Sequence, residues 1–178
     1  MLKLRRAPSS YDETFMDTMA SEYLERTPWT QLRLDAVRDL VDPQPDDRIL
    51  DLGCAAGAIT HYLSTFGCTA TGVDLEPLAI MKARGLFPGL HFEIANATDL
   101  PFGAESFDKA VAPDFVEHVD AETFVQVCRE VRRVLARAGT FALYAPNPRH
   151  LIERLKEREL LLAQNPTHIG LRDAETTA

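Results

Sequence analysis

The stretch Arg48-Ile49-Leu50-Asp51-Leu52-Gly53-Cys54-Ala55-Ala56-Gly57-Ala58-Ile59-Thr60 reads as a buried strand, a tight turn of small residues and the first turn of a helix. Ile49, Leu50 and Leu52 give the strand its apolar run, and Gly53 and Gly57 supply the backbone freedom that a sharp reversal needs. Unpaired N–H groups at the helix start would face whatever sits over the turn, so the geometry predicts an anion cradle or a close backbone approach to a ligand. About twenty residues on, Thr71-Gly72-Val73-Asp74-Leu75 reads as a second short strand ending in an acid, and a carboxylate there can accept hydrogen bonds from both hydroxyls of a ribose. The loop alone fits any dinucleotide-binding domain; the residues beyond Asp74 separate the readings.

Further strands are expected over His91-Phe92-Glu93-Ile94, Asp108 to Ala112 and Thr140 to Ala145, with the second running near Thr69 to Leu75. Helical periods lie between them. Ala58 to Phe66 puts Ile59, Leu63 and Phe66 on one stripe, with Gly67 placed to close it. Pro77 opens a helix through about Leu86, and Asp120 caps one in which Phe124, Val127, Cys128, Val131 and Leu135 keep a 3.6-residue period. Ahead of the first strand, a helical pattern runs from Tyr11 to Glu25. A second has Thr27 as its cap, Pro28 at the first helical position, and Leu34, Val37 and Val41 on one side; it ends before Pro43. Alternating strands and helices with short turns specify a doubly wound α/β fold, a mostly parallel sheet with helices on both faces. Right-handed crossovers then bring Asp51, Gly53, Asp74, Asp99 and the Pro113-Asp114 turn to the carboxyl edge of that sheet.

Composition narrows the class. The 178 residues suit one domain, and 46% hydrophobic with 26% charged residues is ordinary for a globular protein. A net charge of −8 argues against a nonspecific phosphate-binding surface, so nucleic acid is not the expected partner. Cys54, Cys68 and Cys128 give neither metal-ligand spacing nor an even disulfide set, and no metal is expected. No apolar core follows the basic start Met1-Leu2-Lys3-Leu4-Arg5-Arg6, and no apolar run has membrane-spanning length; the expectation is a cytoplasmic protein.

The Asp51 to Gly57 loop, Asp74, Asp99-Leu100-Pro101-Phe102 and Phe107-Asp108 come in the order of a known family. Val116-Glu117-His118-Val119, and Arg133-Val134-Leu135 through Gly139-Thr140, extend the match. Over roughly residues 45 to 148 the chain resembles the class I S-adenosylmethionine (SAM)-dependent methyltransferases, in particular the small-molecule branch near the ubiquinone and menaquinone biosynthesis enzymes. The resemblance implies a Rossmann-like core at residues 45–148, an N-terminal helical lid at 1–44 and a C-terminal tail at 149–178. It implies SAM as cofactor and a small-molecule acceptor, methylated at oxygen in the first reading, with nitrogen and carbon open. Gly53 and Gly57, with Cys54 and Ala55, would let the backbone approach the methionine end, whose amino group Asp51 would serve directly or through water. Asp74, beside Leu75, would bind the ribose. Asp99 would accept from the adenine amino group, Leu100 would supply a backbone N–H and an apolar wall, and Ala97, Thr98 and Pro113 would complete the site.

His118 is the candidate general base, since histidine titrates near neutrality and follows the fourth strand. His150 and His168 are weaker candidates, Arg149 could hold an acidic or phosphorylated substrate, Tyr11 could contact the cofactor's carboxylate or the substrate, and Tyr11, Phe15, Tyr23 and Trp29 could line a substrate pocket under the lid. Ala55 departs from the family glycine and fits only if its φ is negative. Cys54 reads as a small buried thiol, and Asp99 could instead be an Asx-turn acid. Ala112-Pro113-Asp114-Phe115 lacks the Asn/Asp-Pro-Pro-aromatic run of the amino-methylating enzymes of nucleic acids and proteins. A nicotinamide-dependent oxidoreductase would want glycine at 55. A nonenzymatic SAM-binding or scaffolding subunit is the other alternative. After a helix at about Leu151 to Ala163, the family's antiparallel strand pair does not follow. Strand five would then show an open edge, and the expectation is a truncated chain, or a homodimer or other partner covering that edge.

Overall fold

The computed structural model describes residues 13–145. Two helices, α1 (Glu13–Leu24) and α2 (Pro28–Val41), precede β1 (Arg48–Leu52), α3 (Ala58–Ser64), β2 (Thr69–Asp74), α4 (Pro77–Leu86) and β3 (His91–Ile94). Then come β4 (Phe107–Pro113), a 3-10 turn (Val116–His118), α5 (Ala121–Val134) and β5 (Leu135–Tyr144). The strands form one sheet in the order β3-β2-β1-β4-β5, with every pair parallel. The order reverses between β1 and β4, where a crevice opens at the carboxyl edge and ligands of such sheets bind.

Alternation along β1 sends successive residues to opposite faces. Leu50 and Leu52 join Val73, Ala110, Ala112 and the α5 residues Val127, Val131 and Val134. Ile49 faces the other way, with Val111, Ala142, Leu63 of α3, and Val37 and Val41 of α2. Asp51 shares Ile49's face, under α3. α2 and α5 have their expected caps: Thr27 Oγ1 accepts from the Thr30 N–H at 3.3 Å, and Asp120 accepts from the Thr123 N–H at 2.7 Å. Asp42, in a left-handed conformation (φ 46°), returns its N–H to Arg38 O before Pro43 ends α2.

Several boundaries differ from expectation. α3 stops at Ser64, and Gly67 (φ +84°) closes the turn with its N–H on Ser64 O at 3.2 Å. β4 extends one residue at each end. β5 begins at Leu135 rather than Thr140, directly out of α5, because Leu135 pairs with Phe107 before a register irregularity leads to Thr140 opposite Lys109. A Cβ on Gly139 would lie 2.9 Å from Asp108 O, so the bend there requires glycine. Among the described residues β5 pairs only with β4. The expected helix at 151–163, together with Tyr11, Arg149, His150 and His168, lies outside the described residues. No helix among those described is long and apolar enough to cross a membrane.

Candidate active site

β1 delivers Asp51 to the crevice with 1% of its surface exposed. Its Oδ2 accepts from Thr60 Oγ1 of α3 at 2.7 Å, while the buried Oδ1 has no hydrogen-bond partner among the described residues. Burial pushes the carboxyl up to about 7; the Thr60 hydroxyl opposes this, and the charge of Asp74 adds to it. A buried acceptor left in this way is costly, and the charged form awaits a donor or a cation.

Four N–H groups of the loop beyond Asp51 are bonded within the protein. Those of Gly53 and Cys54 both donate to Val73 O (2.8 and 3.0 Å), that of Ala55 to Asp74 Oδ2 (2.9 Å) and that of Gly57 to Cys54 O (2.8 Å). Gly53 and Gly57 have φ of +72° and +82°, and a Cβ on either would overlap the ring of Phe115 (2.8 Å) or Phe92 (2.6 Å). Ala55 also has positive φ, +47°, against the requirement that alanine there keep φ negative. The hydrogen bond from its N–H to Asp74 holds it in a region that costs an alanine about 1–2 kcal/mol. Cys54 is buried, and its thiol is pushed up by burial and then by the charges of Asp51 and Asp74, which suits a packing role.

Asp74 closes β2 with its other oxygen accepting from the Glu76 N–H at 2.9 Å, so it is a turn acid as well as a candidate ribose ligand. Burial raises its carboxyl too. Leu75 beside it is exposed. From Asp74 the path leads on, because its carbonyl accepts from the Ala95 N–H at 3.0 Å just past β3. There Asn96, not Asp99, makes the Asx turn, its Oδ1 accepting from the Thr98 N–H at 3.1 Å. Asp99 follows with an exposed carboxylate, after half-buried Ala97 and Thr98. The Leu100 side chain is buried as expected, but its N–H donates to Glu130 Oε2 at 3.0 Å and is not free for a ligand.

β4 ends at buried Pro113, two residues past the Asp51–Val111 pairing. Asp114 (φ +50°) donates its N–H to Tyr144 O and pairs its carboxylate with Arg33 of α2. Phe115 leans on Gly53, and His118 is half-buried at the end of the 3-10 turn. Arg33 was not singled out from sequence. It lies over the Tyr144 ring at 5.8 Å, hydrogen-bonds Tyr23 of α1, and has a buried Nε without a partner among the described residues. The available signal was its place on the core-facing side of α2, between Thr30 and Val37. Trp29, expected in the pocket, is 62% exposed. The structure thus gathers Asp51, the 53–57 loop and Asp74, with Pro113 and Phe115 beside them. Asp99 hangs further along the same edge.

The sequence pattern of the methyltransferase domain matches residues 50–143, more than half of the chain. The chain belongs to the class I methyltransferase family. Within that family, norajmaline N-methyltransferase of Rauvolfia serpentina is 30% identical over 128 residues, 67% of this chain and 42% of that protein. Ubiquinone biosynthesis O-methyltransferase of Cereibacter sphaeroides is 33% identical over 108 residues, 57% of this chain and 44% of the relative. A crystal structure from Pyrococcus horikoshii is similar at TM-score 0.66 and 30% identity, covering 83% of this chain and 69% of that one. The methyltransferase chain spans less than half the length of these curated relatives. SAM is the cofactor of the family, and one feature of this site fits it: the buried Oδ1 of Asp51, which has no partner among the described residues.

Proposed function

We propose that this chain transfers the methyl group of SAM to an oxygen of a small-molecule acceptor. The observation that carries the reading is Asp51: a buried carboxylate with one oxygen unmatched among the described residues, beside a second acid at the end of β2. A dinucleotide brings a pyrophosphate, whose charge the buried carboxylate of Asp51 would repel. A sulfonium nucleoside with an amino-acid tail needs an anion for its ammonium, a cation for its carboxylate and an acceptor for its ribose.

Asp51 takes the ammonium, directly or through one water, and Arg33 takes the carboxylate from the far side of the crevice. Asp74 accepts from the ribose on lone pairs left by Ala55 and Glu76, and Asp99 accepts from the adenine amino group. SAM supplies a methyl carbon on a positively charged sulfur that departs as a neutral thioether, so the chain's task is alignment and exclusion of water. α1 and α2 serve as the lid, Pro113 and Phe115 wall the acceptor side, and His118 receives the acceptor proton. Oxygen as the acceptor atom is supported by the ubiquinone-enzyme likeness and by Ala112-Pro113-Asp114-Phe115; the Rauvolfia relative is by name an N-methyltransferase. A cytoplasmic setting goes with this reading.

Calorimetry with S-adenosylhomocysteine and NAD, followed by turnover of SAM against a panel of small phenols and amines, tests the proposal. Binding of S-adenosylhomocysteine without NAD and methylation of a phenol are expected. NAD binding alone would refute the cofactor, amine methylation alone would refute the acceptor atom, and binding without turnover would point to a noncatalytic subunit.

A further inference from the structure

The run Asp99-Leu100-Pro101-Phe102 is held by one ion pair on α5. Arg133 meets Glu130 in a two-point fork, Nε to Oε1 at 2.9 Å and Nη2 to Oε2 at 2.7 Å. The same pair binds three backbone groups of the run: Glu130 Oε2 accepts the Leu100 N–H (3.0 Å), Arg133 Nη2 donates to Leu100 O (3.0 Å) and Nη1 to Phe102 O (2.7 Å). Pro101 has no N–H to offer, so the clasp takes both polar backbone groups of Leu100 and the carbonyl beyond the proline. Apolar anchors reinforce it, with Leu100 3% exposed and the Phe102 ring edge-on to Phe107 at 4.9 Å. An ordinary surface Arg–Glu pair one helical turn apart contributes little. This one is spent on a loop that no regular element supports.

Asp99 stands immediately before the clasped residue. On its other side its N–H is fixed to Asn96 O at 2.9 Å, and its charge acts on Arg133. We propose that Glu130 and Arg133 are positioning residues that aim the Asp99 carboxylate and thereby set the enzyme's selectivity for a purine bearing a 6-amino group. The inference rests on the adenine role proposed for Asp99. A carboxylate accepts from an amino group and repels a 6-oxo group, so selectivity depends on where it points.

The test is the ratio of affinities for S-adenosylhomocysteine and S-inosylhomocysteine, measured by calorimetry on the full chain. The wild type is expected to prefer the adenine compound at least tenfold, and Asp99→Ala to lose that preference. Glu130→Ala should cut the ratio to threefold or less while changing affinity for the inosine compound by less than threefold; hydrogen exchange of the Leu100 amide should accelerate. Glu130→Gln, which keeps one acceptor oxygen for the Leu100 N–H but loses half of the fork, should recover part of the ratio. If Glu130→Ala does not fold, Arg133→Lys, which keeps the charge without the fork, should still lower the ratio at least threefold. An unchanged ratio in whichever of Glu130→Ala and Arg133→Lys folds, with Asp99→Ala having lost it, would overturn the inference alone. No preference in the wild type, or one that survives Asp99→Ala, would overturn the adenine role and the inference together.

Discussion

Protonation of Asp51 should control how tightly the crevice holds an amino-acid nucleoside. Burial raises its carboxyl from 3.8 to about 7 in the ligand-free chain, whereas an ammonium beside Oδ1 stabilises the charged form. Binding then requires ionised Asp51. At pH 6 about a tenth of the molecules are ionised and at pH 8 about nine-tenths, so affinity for S-adenosylhomocysteine should rise about tenfold between them, about 1.4 kcal/mol. Binding at pH 6 should also release close to one proton, seen by calorimetry in buffers of different ionisation enthalpy. Asp51→Asn should bind weakly and without this pH dependence. A flat wild-type profile from pH 6 to 8, or the same slope in the asparagine variant, would refute the ammonium role.

The same shift bears on stability with a definite sign. The folded carboxyl holds its proton to a higher pH than the unfolded one, so the folded state binds more protons between pH 3.8 and about 7. Its contribution to stability is therefore complete below that window and is lost as pH rises through it, by at most about 4 kcal/mol for three units. Asp74 is shifted in the same direction by burial. Asp108 acts oppositely: hydrogen bonds from Arg48 lower it to about 2, and its small contribution is lost only as pH falls through that value. Urea midpoints of the ligand-free wild type should fall from pH 5 to pH 8, and those of Asp51→Asn should fall less.

Four further outcomes are expected. Asp74→Ala should weaken S-adenosylhomocysteine binding by about 1–3 kcal/mol in calorimetry, the scale of lost charged hydrogen bonds. Ala55→Gly should stabilise the chain by roughly 0.5–1 kcal/mol in urea unfolding, because relief at φ +47° exceeds the added entropy of the unfolded glycine. Gly72→Ala should cost roughly 1–3 kcal/mol, since a Cβ there would meet Phe92 Cδ1 and Thr60 Oγ1 at 2.7 Å and Cys54 Sγ at 2.8 Å; an unaltered melting temperature would show that β2 can move. His118→Gln should lower the turnover rate by roughly 10²–10⁴ if the imidazole takes the acceptor proton, with S-adenosylhomocysteine affinity unchanged.

Much of the fold was legible because local signals agreed with one another. Thr27-Pro28 and Asp120 mark helix starts, and Ile49, Leu50 and Leu52 mark a strand buried on both faces. The start of β5 was not legible. Leu135 completes the α5 apolar period, yet its backbone is already extended (φ −78°, ψ 140°) because Phe107 stands ready to pair with it. That is a tertiary cause, and no window around Leu135 contains it. Arg33 was hidden likewise, since its partners Tyr23, Asp114 and Tyr144 come from three separate parts of the chain.

Ala55 shows why glycine counting is a weak guide to the cofactor. The pattern strand, small-residue turn, helix, acid is shared by sites for dinucleotides and for sulfonium nucleosides, and the missing glycine at 55 was an argument about backbone angle. The angle turned out to be the glycine-like one. What distinguishes the ligands is charge: an ammonium suits the buried carboxylate of Asp51 and a pyrophosphate does not. Asp74 shapes the loop by accepting from Ala55, and the proposed ribose contact would use its remaining lone pairs. A test of its role compares ligand binding with melting in Asp74→Asn, whose carbonyl can still accept from Ala55 while the Glu76 N–H loses its acceptor and the charge facing the ribose is gone. If Asn binds S-adenosylhomocysteine as poorly as Ala but melts like the wild type, the carboxylate acts on the ligand; if it binds like the wild type, the acid's work is confined to the loop.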